Sequence, residues 1–117
     1  MQLTEIMRKR MKPALDDRVY EMQVRICKAF ANGSRLRMLD LLANGERTVS
    51  ELQDELGITV ANVSQHLAIL KGAGVVRTRR EGKQIFCSLA MPEVKSACQQ
   101  IRDVLRAQIR SGRDLEL

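Results

Sequence analysis

The chain has 117 residues, a net charge of +6 and a hydrophobic share of 44%, but its only aromatic rings are Tyr20, Phe30 and Phe86. That length suits one domain with a core of Leu, Ile, Val and Met, and the basic balance favours a polyanionic partner. Neither a secretory leader nor a membrane span is expected. The first twelve residues mix Glu5 with Arg8, Lys9, Arg10 and Lys12, and no apolar run approaches spanning length, so the expectation is a cytoplasmic protein with no membrane partner.

In chain order, residues 1–15 read as a basic extension with a short helix ended by Pro13, and a longer helix begins near Asp16. Tyr20, Val24, Cys27 and Ala31 repeat at helical spacing, and Asn32-Gly33 reads as the stop. Ser34 is the expected cap of the next helix, with Leu36, Leu39, Leu42 and Ala43 inward and Asn44-Gly45 at its end. Thr48 and Glu51 have capping-box spacing and open a short helix with Leu52 and Leu56 on its buried side. Gly57 breaks that helix, and Thr59 caps another after a short glycine-containing turn, the spacing of a helix-turn-helix.

In the Thr59 helix, Val60, Val63, Leu67 and Leu70 form the expected buried stripe. Asn62, Ser64, Gln65, His66 and Lys71 fall elsewhere on the cylinder, where they could meet bases and phosphates. The period then changes to that of strands: Val75, Val76 and Thr78, then Ile85 and Phe86, flank a hairpin tip at Glu81-Gly82-Lys83. Arg77, Arg79, Arg80 and Lys83 crowd this hairpin. Pro92 opens a last helix with Val94, Ala97, Cys98, Ile101, Val104, Leu105 and Ile109 at helical intervals. That stripe is too broad for one domain surface, so it is expected to face a second subunit as well. Residues 16–110 are thus the domain and 111–117 a tail. The fold class is mainly α with a small β-hairpin.

SRLRMLDLL (34–42), TVSELQDELGITVANVSQHLAILKGAGVV (48–76) and REGKQIFCSL (80–89) resemble the ArsR/SmtB family of winged helix-turn-helix repressors, Ser64-Gln65-His66-Leu67 being the most specific short piece. The resemblance implies a homodimer joined through its first and last helices, bound to an inverted repeat in double-stranded operator DNA and released by an effector. It places the Thr59 helix in the major groove, with Thr59, Asn62, Ser64, Gln65, His66 and Lys71 at the DNA. The hairpin becomes the wing, with Arg79, Arg80 and Lys83 along the backbone or minor groove. Backbone amides at the starts of the Thr48 and Thr59 helices are further expected phosphate contacts.

The inducer is less defined. Metal-sensing members carry paired cysteines where this chain has Thr48 and Ser50. Another family metal site uses His and carboxylates on the last helix, where Met91, Glu93, Val94 and Val104 stand here. The cysteines of thiol-sensing members correspond to Asp40 and about Arg106. Cys27 and Cys98 remain as a pair for a soft metal or metalloid, such as cuprous ion or arsenite, or for thiol oxidation; the other reading packs them as core. Cys87 lies in the second wing strand. Alternatives left open are a regulator without a metal or thiol inducer and a winged-helix protein-interaction module. An enzyme is not expected: one histidine and no glycine-rich phosphate loop leave little to build a reaction from.

Overall fold

The computed structural model describes residues 16–112; the expected extension at 1–15 and most of the 111–117 tail lie outside them. The elements are α1 (Asp17–Phe30), α2 (Gly33–Ala43), β1 (Arg47–Thr48), α3 (Val49–Leu56), α4 (Val60–Gly72), β2 (Val76–Glu81), β3 (Gln84–Leu89) and α5 (Pro92–Arg110).

Local chemistry sets most of the boundaries. Asp16 caps α1 by accepting from the amides of Arg18 and Val19. Thr48 and Glu51 form both arms of the capping box: Thr48 Oγ1 accepts from the Glu51 amide at 3.1 Å, and Glu51 Oε1 accepts from the Thr48 amide at 3.3 Å. The junction of α1 and α2 differs from the expectation. Asn32 is the N-cap of α2, its Oδ1 accepting from the Arg35 amide at 3.0 Å, while Gly33 is already helical and Ser34 lies inside the helix. Asn suits both helix ends, and its side-chain acceptor decided for the start.

The hairpin forms with Glu81 opposite Gln84, so its turn is Gly82-Lys83 and Glu81 belongs to the strand. Gly82 has φ +64, the left-handed value that the first position of such a two-residue turn requires. A strand that the sequence pattern does not announce, β1, pairs antiparallel with β3 through Arg47 opposite Cys87 and Thr48 opposite Phe86, giving the order β1-β3-β2. At two residues it is too short to show an alternation.

α2 is the centre of the packing, touching α1, α3, α4, α5 and β3. Met38, Leu39 and Leu42 of α2 meet Leu52, Val63, Leu67, Leu70, Val75, Val76, Cys87, Val94 and Cys98 in one core, closed on the α1 side by Ala29 and Phe30. Burial pushes the Cys87 thiol up to about 11, so it is a neutral core side chain at physiological pH. Two expected core residues face out: Leu36 is 38% exposed and Val60 50%, while Met38 takes the inward place on α2. Outside the core, Val19, Tyr20, Met22 and Val24 of α1 and Ile101, Val104, Leu105 and Ile109 of α5 are exposed. The first and last helices of the described chain therefore each carry an apolar surface that nothing within the described residues covers. The whole is a winged helix-turn-helix, as the sequence leads one to expect.

The burial contrast within α4 is testable by denaturant unfolding without DNA. Leu70→Ala should cost about 2–5 kcal/mol, the range for emptying a core leucine site, whereas Val60→Ala should stay within about 0.5 kcal/mol. Equal losses would contradict the placement of the buried stripe.

Candidate nucleic-acid interface

The path from α3 to α4 is short because Gly57 ends α3 in the left-handed conformation, φ +67, and only Ile58 intervenes before the Thr59 cap. Ile58 is half-buried against the core and pins the turn. Thr59 Oγ1 accepts from the Asn62 amide at 3.1 Å, which opens α4. Val63, Leu67 and Leu70 hold α4 to the core. With that stripe inward, Asn62, Ser64, Gln65 and Lys71 are exposed along the same helix, as is Thr59 at its start. A helix held along one side and polar on the other can offer donors and acceptors to base edges in a groove.

His66 sits differently from its neighbours. It is half-buried, and its Nδ1 lies 3.4 Å from Arg35 Nη1. Arginine can only donate, so Nδ1 is the acceptor in this contact. The same guanidinium donates to the carbonyls of Ala29 at 2.7 Å and Lys28 at 3.2 Å. His66 thus joins the α4 face to α1 and α2, a structural use that its sequence position did not disclose.

The two helix starts are not equivalent as anion sites. The carboxylate of Glu51 occupies the start of α3, where its negative charge opposes the phosphate contact expected there. α4 has no acidic residue in its first turn, and its N-terminal dipole therefore remains available to a phosphate.

The wing divides its arginines. Arg79, expected at the DNA, is engaged within the chain: Nη2 donates to Glu46 at 2.7 Å, Nη1 to Glu81 at 2.7 Å, and its carbon Cζ lies 4.4 Å from the centre of the Phe86 ring. Hydrogen bonds to Glu46 and then Glu81 raise its proton affinity further above the ordinary arginine value. The consequence is a guanidinium that fixes the wing against the strand-entry loop rather than an open cation. Arg80 and Lys83 are exposed at the wing tip, with Arg77 exposed nearer its base. Glu46, Arg35 and Phe86 were not anticipated as parts of this surface; the only sequence sign was an acid, Glu81, amid the basic hairpin.

The cysteines differ in their settings. Cys27 is exposed on α1, whereas Cys98 is buried on α5, its thiol raised first by burial and then by Asp40. Among the described residues, no group of three or more His, Cys, Asp or Glu side chains is arranged to hold a metal ion.

The family profile described as bacterial regulatory protein, arsR family, matches residues 32–78, spanning α2 to the start of the wing. An uncharacterized HTH-type transcriptional regulator of Mycobacterium tuberculosis, Rv0081, is 35% identical over 96 residues, covering 81% of this chain and 83% of the relative. The chain belongs to the arsR family. A further relative, the biofilm growth-associated repressor of Agrobacterium fabrum, is 44% identical over 78 residues, covering 67% of this chain and 66% of its own length. The crystal structure of Rv0081 superposes with a TM-score of 0.75 at 32% identity, covering 82% of this chain and 97% of that one. The solution structure of the homodimeric winged helix-turn-helix DNA-binding domain Mb0332 from Mycobacterium bovis has a TM-score of 0.73 at 31% identity, covering 89% of this chain and 98% of that one. Membership of this arsR family makes the chain a transcriptional regulator and not an enzyme.

The arginine division predicts different outcomes for two wing variants of this arsR-family chain. Arg80→Ala should weaken binding to specific and random duplexes evenly and lower the salt slope by about one. Arg79→Ala should speed amide exchange along β2 and β3, because the Glu46 and Glu81 bonds that hold the wing are lost. Unchanged wing exchange in Arg79→Ala would show that the clamp does not order it.

Proposed function

We propose that this chain is a homodimeric transcriptional repressor that binds an inverted-repeat operator through α4 and its wing, acts in the cytoplasm, and is released by an effector. The observation that carries the reading is the side-chain division of α4: Val63, Leu67 and Leu70 are buried, while Asn62, Ser64 and Gln65 are exposed beside a wing whose Arg80 and Lys83 are also exposed.

The dimer follows from burial. The exposed apolar residues of α1 and α5 are unfavourable in water, and a second copy offers the same two faces in return. The homodimeric state of the Mb0332 DNA-binding domain from Mycobacterium bovis supports this arrangement. Two-fold symmetry presents two α4 helices to one duplex, and a symmetric reader fits an inverted repeat. Repression accords with the name of the Agrobacterium fabrum relative, and a dimer seated on an operator blocks that stretch of DNA to other proteins. Cys27, exposed on α1, is the thiol most open to a soft metal or an oxidant should either be the effector.

The test is binding to promoter fragments from the chain's own operon, across a range of salt, against random duplex. One fragment should bind tightly with a steep loss of affinity as salt rises. Gln65→Ala should reduce its advantage over random DNA by about 1–3 kcal/mol, the value of one good base contact. Equal affinity for promoter fragments and random duplex at every salt concentration would defeat the operator reading.

A further inference from the structure

We propose that the cleft between α2, the end of β3 and the first half of α5 binds a small organic carboxylate. The cleft measures about 450 Å3, within the range of metabolite sites. Its lining is mostly polar, with Asp40, Lys95 and Arg102 charged, and Leu39, Leu89 and Val94 form an apolar floor, of which Leu39 and Val94 are buried. Lys95 and Arg102 stand seven residues apart on one face of α5, and Asp40 faces them from α2.

The charges do not balance. Two cations meet one carboxylate, and Asp40 is served by a single nitrogen, Nη2, of Arg102. A guanidinium has five donors in a fork, so the remaining edge can take a second carboxylate without releasing Asp40. Lys95 makes no ion pair among the described residues and lines the same cleft. A ligand carboxylate lying between Lys95 and Arg102 makes the charge count two against two, and a short organic body reaches the Leu39, Leu89 and Val94 floor. Gln99 and Asn44 line the cleft and supply neutral polar groups for hydroxyl or carbonyl substituents. Cys98 contributes wall rather than chemistry, since it is buried and favours the neutral thiol.

The position has a regulatory meaning, which rests on the effector-released repressor proposed above. Asp40 and Arg35 are both on α2: one faces the cleft, while the other bonds His66 of α4. The opposite wall is α5, whose Ile101, Val104 and Leu105 belong to the uncovered apolar surface. A ligand drawing α2 and α5 together therefore acts on a helix of the dimer surface, α5, and on the helix that bonds the DNA reader, α2.

Full-length 15N-labelled protein is titrated with sodium benzoate and sodium lactate, and separately with benzamide and lactamide. Saturable shifts of the Asn44 and Gln99 side-chain amides are expected with at least one carboxylate and with neither amide. Lys95→Gln, which removes a cation holding no partner in the described fold, should weaken that binding about tenfold, the worth of one charge-assisted contact. No saturable shift with either carboxylate, equal binding of the neutral analogue, or native affinity in Lys95→Gln would overturn the site. Operator affinity measured with the carboxylate present separates the two readings. Saturable binding with unchanged operator affinity supports the site and removes its effector role.

Discussion

The bonds of Arg35 are the constraint on which the arrangement of helices depends. Its guanidinium donates to the carbonyls of Lys28 and Ala29, near the C-terminal end of α1, and to His66 on α4, while its own amide is fixed by the Asn32 cap. The last carbonyls of a helix lack partners within that helix and carry its negative dipole end, so an arginine is well suited to them. One side chain thereby ties α1, α2 and α4. The helix with an uncovered apolar face and the helix with an exposed polar face cannot shift independently without breaking these bonds.

A second constraint is where the acids sit. The chain is strongly basic, yet its cations are not equally free. Glu46 and Glu81 hold Arg79, Asp40 holds Arg102, and Glu55 lies 3.6 Å from Arg47. Glu51 closes the start of α3. Lys71 on α4 and Arg77, Arg80 and Lys83 on the wing are exposed and stand outside these ion pairs. Exposed cations over an ordered framework give salt-sensitive attraction to phosphates, while the polar side chains of α4 can discriminate among bases.

Much of this is legible in the sequence where the cause is local. The Thr48–Glu51 box, the Gly57 turn and the Thr59 cap are each specified within a few residues, and all three stand as read. The apolar stripe of the last helix is also legible as too broad for the domain, and Ile101, Val104, Leu105 and Ile109 are indeed exposed. Pattern and structure part where one residue type serves two purposes or where partners are distant. Asn32 reads as a stop and acts as a start. Leu36 and Val60 have the right spacing for burial, but no neighbouring element among the described residues covers them. His66 and Arg79 read from the sequence as DNA contacts, and Arg35 and Glu46, which hold them, lie 31 and 33 residues away in the chain, although Glu81, the other partner of Arg79, is a near neighbour. The two-residue β1 leaves no periodic trace at all.

The repressor reading turns on which surface meets the duplex. Amide chemical shifts of the 15N-labelled chain, followed as a promoter duplex is added, map that surface directly. The largest changes are expected from Thr59 to His66 and at Arg80 and Lys83, with the outer face of α5 from Ile101 to Ile109 little affected. Changes confined to α1 and α5, with α4 and the wing silent, would contradict a DNA-reading α4.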